Sequence, residues 1–226
     1  MSVNSVFPFQ LPFHYGNLFL VSYMLIISLA LSCSSSKVLT DKEHITTVIA
    51  HRAKTEQGLT IGEKAPLAKE DLKDLRYFNI SELYKLQAKV KLAEGEEPFE
   101  LPTYSGITKT FIKYATLSFY LDGKDQELSV YRNLEVIRMP QYKNYLFLPF
   151  KDETSSDSTY GGGRYINLST LDIKDEMVEL DFNKCYNPWC AYSDGFNCPI
   201  PPVENTLDIA ILAGEKNFAG AKKEKH

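Results

Sequence analysis

The chain has 226 residues and a formal net charge of −4, from 25 Lys and Arg against 29 Asp and Glu. This mildly acidic balance argues against a nucleic-acid partner, because such a partner requires a basic face and the sequence contains no basic stripe. The length is sufficient for one compact domain with a full hydrophobic core.

The first predicted element is a lipoprotein signal peptide over residues 1–32, which contain no Lys, Arg, Asp or Glu. The apolar run from Leu18 to Leu31 is shorter than the roughly 20 residues of a bilayer span and is typical of a signal peptide. The run leads into Leu-Ala-Leu-Ser-Cys, which resembles the bacterial lipobox, so Cys33 is the predicted site of lipidation. Because no basic residue precedes Lys37, an uncleaved membrane anchor that ends in an ordinary cysteine is the alternative.

The predicted location is therefore the cell envelope, where the protein is anchored to a bacterial membrane by lipid on Cys33. Two or more acyl chains anchor a protein stably, whereas a single chain gives only marginal binding. Residues 33–40 contain a run of serines and predict a flexible tether. The remaining residues, 41–226, are predicted to form a single globular domain.

This domain is predicted to begin with an amphipathic helix that packs on the rest of the fold. Thr40 or Asp41 is suited to the N-cap position, and Gly58 is expected just past the end of the helix. The apolar residues at helical spacing are Ile45, Val48, Ile49 and Ala53.

After Tyr77 the pattern changes to period-two alternation in segments rich in aromatic and β-branched residues. These segments are ELYKLQAKVKLAE, TKTFIKYATLSFYLDG, QELSVYRNLEVIRM, NYLFLPF, RYINL and EMVELDF. Short strands without intervening helices predict a mainly β, α+β fold, an antiparallel β-sandwich or barrel-like sheet. RYINL and EMVELDF are predicted to pair as a hairpin, and residues 205–215 to form either a short helix or a last strand.

Arg164 follows three consecutive glycines in KDETSSDSTYGGGRYINL, residues 151–168. Glycines allow a positive φ, and backbone amides in such a turn can converge on an anion that Arg164 also binds. The alternative is a tight turn in which Arg164 forms a salt bridge with Asp152, Glu153 or Asp157.

Three of the four cysteines lie in DFNKCYNPWCAYSDGFNCPIPPVEN, residues 181–205. In an oxidising envelope Cys190 and Cys198 could close a disulfide, which leaves Cys185 as a free thiol. A metal site built from the three thiols is the competing interpretation. It lacks a histidine and the usual spacing of two to four residues between ligands, so neither a metal nor a cofactor is predicted.

The sequence leaves two functions open. The first is a small-ligand-binding or structural module of the envelope, and the second is a hydrolase-like enzyme. In the enzyme, Arg164 would clamp a small anionic ligand and Asp152 or Glu215 would act as the acid or base. The candidate ligand-binding residues are Asp152, Tyr160, Arg164, Asn183, Tyr186, Asn187, Tyr192, Asn205 and Glu215. The segments 160–164 and 183–198 are predicted to pack together, with the second as a rigid wall that holds polar groups ready for a ligand.

Several of these motifs together resemble the family catalogued as domain of unknown function 1684. They are LFLPFKDETSSDSTYGGGRYINL, DFNKCYNPWCAYSDGFNCPIPPVENTL and AGEKNF, with HRAKTEQG and TYSGITKTFIKYATLSFYLDG upstream. The resemblance implies a bacterial or archaeal protein, often a secreted lipoprotein, with no assigned biochemical activity. Cys185 stands where the family pattern more often shows a small residue, which weakens the three-thiol metal interpretation further.

Overall fold

The structure is a computed structural model that describes residue 1 and residues 42–224. The chain divides into two compact units, residues 1–44 and 45–226. The predicted signal peptide, the lipidation site Cys33 and the tether lie outside the described residues.

The first element is helix α1, over residues 42–60. It buries Val48 and Leu59, and Leu59 joins a small cluster with residues that follow the helix. The predicted apolar stripe is therefore wrong in part. Ile45 and Ile49 are 41% and 56% exposed, and Ala53 is exposed as well.

Polar side chains determine which face of α1 points inward. Arg52 donates to the carbonyl of Phe78 at 3.2 Å and lies over the Tyr77 ring at 4.4 Å. His51 Nε2 is 3.1 Å from the carbonyl oxygen of Lys184. These contacts hold the helix on the domain, and they turn the two isoleucines outward.

In the described part of the chain, seven strands form one antiparallel sheet. They are β1 (Lys85–Leu92), β2 (Phe99–Pro102), β3 (Thr108–Leu121), β4 (Lys124–Asn133), β5 (Tyr145–Phe150), β6 (Arg164–Ser169) and β7 (Met177–Asp181). Their order is β6-β5-β4-β3-β1-β7, and β2 pairs with the N-terminal part of β3. The sheet curls into a half-barrel, which confirms the predicted mainly β, α+β class with a helix packed on the sheet.

The longest pairing is the β3–β4 hairpin, whose turn is Asp122-Gly123. Both residues have positive φ, 53° and 77°, as a two-residue type I′ turn requires. An Asp-Gly dipeptide between alternating segments is a strong hairpin signal, so the sequence predicts this turn.

Successive side chains of a strand point to opposite faces of the sheet, and this sheet buries side chains on both faces. The main core fills the inside of the curl and includes Ala88, Leu117, Leu148 and Ile166. Leu207, Ile209, Ile211 and Ala213, from the C-terminal segment, complete this core. A smaller aromatic cluster covers the opposite face; it consists of Leu101, Phe111, Tyr131, Phe147 and Tyr165.

The predicted hairpin between β6 and β7 is wrong. β6 pairs with β5 and β7 pairs with β1, so the two strands are at opposite ends of the sheet order. The chain that follows β7 nevertheless returns to β6, because Tyr165 and Tyr186 exchange backbone hydrogen bonds of 2.9 and 3.0 Å.

The C-terminal segment, residues 206–219, is neither the predicted helix nor a regular strand. It is tied down by isolated bridges, Lys151 with Thr206 and Tyr77 with Glu215. Short 3₁₀ turns connect the elements: Lys69–Asp74, Glu82–Tyr84, Val136–Arg138, Pro140–Tyr142, Thr170–Asp172, Phe182–Lys184, Trp189–Ala191 and Val203–Asn205. Within the described ranges, no helix is both long and apolar enough to cross a bilayer.

Candidate functional site

Arg164 is the first residue of β6, and its side chain is buried. The guanidinium donates to Asp152 Oδ2 at 2.8 Å and to the carbonyls of Ile211 at 3.0 Å and Ala213 at 2.5 Å. A fourth bond, of 3.2 Å, reaches the carbonyl of Glu215. The side chain thus binds the protein's own C-terminal segment.

Asp152 completes this ion pair and is buried too. Its Oδ1 accepts from the backbone N–H of Thr154 at 2.8 Å and of Ile211 at 3.2 Å. The Arg164 nitrogen without a hydrogen bond in the described part of the chain, Nε, is itself buried. The geometry therefore gives Arg164 the salt-bridge role, and the anion clamp is not supported.

Glu215 links the C-terminal segment to the cysteine-rich stretch. Its carboxylate is buried and accepts from the hydroxyl of Tyr192 and, at 3.0 Å, from the backbone N–H of Asn187. The Asn187 side chain donates to the carbonyl of Lys216 at 2.8 Å. Burial raises the pKa of Glu215 to about 7.

Asn183 and Asn205 each hold a different stretch of backbone. Asn183 accepts from the N–H of Ser81 at 3.0 Å and donates to its carbonyl at 2.9 Å. Asn205 bonds in the same way to Ser129, at 2.8 Å in both directions, and also donates to the carbonyl of Pro149 at 2.6 Å. Each amide thus bonds to a backbone N–H and carbonyl in the way that a neighbouring strand would.

The structure thus separates the nine candidate residues by burial. Seven are buried: Asp152, Arg164, Asn183, Asn187, Tyr192, Asn205 and Glu215. Five of the seven, without Asn183 and Asn205, form one continuous network through Glu215. None of the seven lines the clefts described below, whereas the half-buried Tyr186 does. The described residues also contain no group of three His, Cys, Asp or Glu side chains suited to a metal.

The prediction that the segments 160–164 and 183–198 pack together is confirmed. Besides the exchange between Tyr165 and Tyr186, the Tyr160 hydroxyl lies 3.5 Å from the carbonyl of Cys190. Gly163 has a φ of 86°, and a Cβ there would lie 2.5 Å from the carbonyl oxygen of Phe150. The glycine is therefore needed for the positive φ and for the close approach of this turn to the backbone at Phe150.

Cys190 and Cys198 form a disulfide. Cys185 is a buried free thiol, and burial raises its pKa to about 11. Because two of the three thiols are joined to each other, the three-thiol metal site is excluded in this state.

The bridged stretch forms one wall of a groove of about 350 Å³ on the second face of the sheet. Its floor comes from β3, β5 and β6, and its wall from residues 186–199. The groove is lined by Lys109, Phe111, Asn133, Val136, Tyr145, Phe147, Tyr165, Tyr186, Pro188, Trp189, Phe196, Asn197, Cys198 and Pro199. We call this feature the aromatic groove.

The rings of the floor contact one another in series, and the series continues to Tyr186 of the wall. Ring centroids are 5.6 Å apart for Phe111 and Phe147, 4.8 Å for Phe147 and Tyr165, and 6.0 Å for Tyr165 and Tyr186. Such pairs, mostly edge to face, fix each ring by its neighbour.

The wall is stiff for three reasons. Trp189 packs edge to face on Phe196 at 5.0 Å, and the disulfide closes the loop between them. Backbone bonds attach the wall to the region of β2, from Tyr104 N–H to Cys198 at 3.1 Å and from Ile200 N–H to Pro102 at 2.9 Å. Trp189 remains 37% exposed, so its ring is available to a ligand.

The sequence predicts the wall but not which side chains the wall presents to the groove. We expected polar groups, whereas the groove side is aromatic and proline-rich, and the polar groups point into the domain. The signal that could have found the floor is the alternation Leu146, Phe147, Leu148, which places one ring on the face opposite the main core.

Two other clefts are more polar. One, of about 500 Å³, lies beside β6 and β7 and is lined by His51, Asp181 and Lys184, among others. Lys184 is paired there with Asp181 at 3.2 Å and with Glu179 at 3.3 Å. The other is lined by Lys and Glu side chains of β1 and β3 and their connections. Because Lys184 is already paired with two carboxylates, the first cleft has less potential to bind a charged ligand.

Comparison with known proteins adds a family and a fold relative. A family model described as "Protein of unknown function (DUF1684)" matches residues 70–216. A solution NMR structure of an uncharacterized protein from Haloarcula marismortui is similar, with a TM-score of 0.60 and 35% identity, over 78% of this chain and 95% of that one. No curated protein matches the chain.

Proposed function

The chain belongs to the family described as "Protein of unknown function (DUF1684)", and we propose that it is a small-ligand-binding module of the bacterial cell envelope, anchored by lipid on Cys33. The ligand is a ring compound that occupies the aromatic groove. One observation carries this proposal: an accessible tryptophan, Trp189, stands on a disulfide-closed wall opposite a floor of packed aromatic rings.

The groove has the properties of a small-molecule site. Its volume of about 350 Å³ falls at the lower end of the range for ligand pockets, roughly 300–1,000 Å³. Aromatic faces bind flat rings through stacking and burial of apolar surface. Because the wall is held before binding, little conformational entropy is lost when a ligand enters.

The groove suits binding better than catalysis. Its lining, all from the described residues, contains no His, Asp, Glu, Ser or Thr. The hydroxyls of Tyr145 and Tyr186 both donate to Asn167 Oδ1, at 2.8 and 2.6 Å. Burial raises the pKa of Tyr186 to about 12 and that of Tyr145 well above its usual value, so neither is an effective base at neutral pH.

The envelope part of the proposal depends on the N-terminal sequence. The uncharged first 32 residues, the apolar run and the Ser-Cys-Ser junction at Cys33 support export and lipidation. A disulfide between Cys190 and Cys198 is consistent with an oxidising compartment.

The test uses the single tryptophan as a reporter. The full chain is prepared with 5-fluorotryptophan in lipid nanodiscs, so that one ¹⁹F signal reports on Trp189. Titration with naphthalene-2-carboxamide, a neutral flat ring, is expected to shift this signal saturably. Calorimetry is expected to show at least a tenfold weaker affinity for Trp189→Ala, because stacking on an exposed indole is lost.

The matched control is Tyr120→Ala, which removes another exposed aromatic side chain, one that does not line the groove. Its affinity for the probe should equal that of the unmodified chain. A ¹⁹F signal that stays in place at millimolar probe would contradict the proposal, as would equal affinities of the chain and Trp189→Ala.

A further inference from the structure

Among the residues that the structure describes, Lys109 is the one charged residue that lines the aromatic groove. It lies on β3 two positions before Phe111, so both side chains are on the same face of the sheet. The residue is half-buried, and within the described residues its ammonium forms no ion pair. Burial lowers the pKa of Lys109, and Glu135, which is exposed and does not line the groove, opposes this effect.

Asn133 lies at the same end of the groove. It is the direct cross-strand neighbour of Phe111, so Lys109 and Asn133 are diagonal neighbours, roughly 7–8 Å apart between Cα atoms. The Asn133 Oδ1 accepts from the backbone N–H of Glu135 and Val136, each at 3.0 Å. This fixes the amide, and its Nδ2 group, which has no partner among the described residues, remains a donor.

The two side chains give the groove a marked electrostatic preference. Both present donors, one of them cationic, and the described lining residues include no Asp or Glu. The chain as a whole carries a net charge of −4, so the positive groove contrasts with the rest of the protein. A cationic ligand, which aromatic cages often bind, is disfavoured here by Lys109.

We propose, on the basis of the proposed function, that the ligand of the aromatic groove is a ring compound with an anionic substituent, and that Lys109 binds this substituent. The ring stacks against Trp189 and the floor, and the anion accepts hydrogen bonds from the Lys109 ammonium and the Asn133 amide. Lys109 therefore determines specificity for charge, whereas the aromatic rings provide affinity for any flat ring.

Three probes of equal ring size separate these contributions: naphthalene-2-carboxylate, naphthalene-2-carboxamide and 2-naphthyltrimethylammonium. Calorimetry on the full chain in nanodiscs of neutral lipid is expected to show that the carboxylate binds about tenfold more tightly than the carboxamide. The ammonium probe should bind most weakly. Raising the salt concentration should lower the affinity for the carboxylate, because salt screens the charge interaction, and should leave the affinity for the carboxamide unchanged.

Lys109→Met keeps the length of the side chain and removes its charge. We expect its affinity for the carboxylate to fall to that for the carboxamide, while the carboxamide affinity stays within about twofold. Lys113→Met is the matched control, since Lys113 is a half-buried lysine of the same strand that lines a different cleft. It should retain the tenfold preference.

The outcomes distinguish this inference from the proposed function. Equal binding of carboxylate and carboxamide to the unmodified chain, without salt dependence, overturns the role of Lys109 but leaves a ring site. The role of Lys109 is also overturned if Lys109→Met lowers the affinities for the carboxylate and the carboxamide equally, or if the ammonium probe binds most tightly. If no probe binds, the ring site itself is wrong and this inference falls with it.

Discussion

At the scale of single residues, the buried network contains one ion pair and one additional acid. Arg164 and Asp152 form a pair at 2.8 Å with no net charge, and the two terminal guanidinium nitrogens also donate to backbone carbonyls, whereas Nε has no partner among the described residues. Glu215 is a second buried acid in the same network, and no side chain in the described part of the protein forms an ion pair with it. Burial therefore raises its pKa, and Tyr192, Asn187 and Arg164 lower it only in part.

This arrangement predicts how stability depends on pH. Glu215 has a pKa of about 7 in the folded chain against 4.5 as its usual value, so the folded state holds a proton that the unfolded state releases between these values. The free energy of unfolding should fall as pH rises from 4.5 to 7 and then level off, by at most about 3 kcal/mol. Urea unfolding at a series of pH values measures this change in the free energy of unfolding.

Glu215→Gln should remove this slope, because the amide keeps the acceptor oxygen and does not titrate. Glu100→Gln, at an exposed carboxylate whose pKa is lowered by hydrogen bonds from Thr108 and Thr110, should keep the slope. An unchanged slope in Glu215→Gln would show that another group takes up the proton.

Residue types alone could not distinguish a ligand site from this network. Arg164 bonds to Ala213, 49 residues away, Asn183 to Ser81, 102 away, and Asn205 to Ser129, 76 away. A motif rich in polar side chains looks the same whether its groups face a ligand or distant backbone. Only the three-dimensional arrangement decides between these possibilities.

At the scale of elements, the wall segment has two functional sides. Toward the domain, Asn187 and Tyr192 bond to Glu215, and toward solvent, Trp189 and Phe196 line the groove. One short segment thus joins the buried network to the aromatic groove. Anything that loosens the segment should affect stability and binding together.

The double variant Cys190→Ser/Cys198→Ser tests this coupling. In the loop-entropy model a bridge across so short a loop contributes about 2.5 kcal/mol to the free energy of unfolding, so urea denaturation should show a loss of that order. The affinity for naphthalene-2-carboxylate should fall at the same time, because Trp189 is no longer held before binding. Cys185→Ala, at the unbridged buried thiol, should leave the affinity unchanged. A double variant that binds the probe normally would contradict the coupling.

Elements with a clear period were predictable, and those without one were not. Val178 and Leu180 are buried and Glu179 is exposed, as the alternation in β7 predicts. The segment 206–219 has no such pattern, because its position is set by Arg164, Asp152 and Glu215 from elsewhere in the chain. Helix α1 was found, but its inward face is set by His51 and Arg52, which an apolar stripe does not reveal.

At the scale of the whole molecule, sequence neighbours misled the prediction of topology. Consecutive strands usually pair, and β6 and β7 are consecutive, yet they close the two ends of the sheet order. The curl of the sheet brings the chain after β7 back to β6 at Tyr165 and Tyr186. The predicted contact between the loops was therefore right, although the pairing expected to produce it was wrong.

The proposed anchor leads to a prediction for the complete protein. Cys33→Ala should leave the chain without lipid, with a lower mass than the lipidated form, and should move it from the membrane to the soluble fraction. Mass spectrometry and fractionation measure both effects. Ser34→Ala, which keeps the cysteine, is the control. If Cys33→Ala has the mass and fractionation of the lipidated parent, the lipoprotein interpretation is wrong.

The partners of Arg164 also set an order of events during synthesis. A chain that emerges N-terminus first presents Arg164 47 residues before Ile211 and 49 before Ala213, whose carbonyls it needs. Until they emerge, burying the guanidinium would leave several of its donors unpaired, at a cost of several kcal/mol. We therefore expect the Arg164 side chain to become buried in the half-barrel only after the segment with Ile211 and Ala213 has emerged. The proposed export requires an unfolded chain to pass through a translocation pore, and late burial of Arg164 would favour this passage.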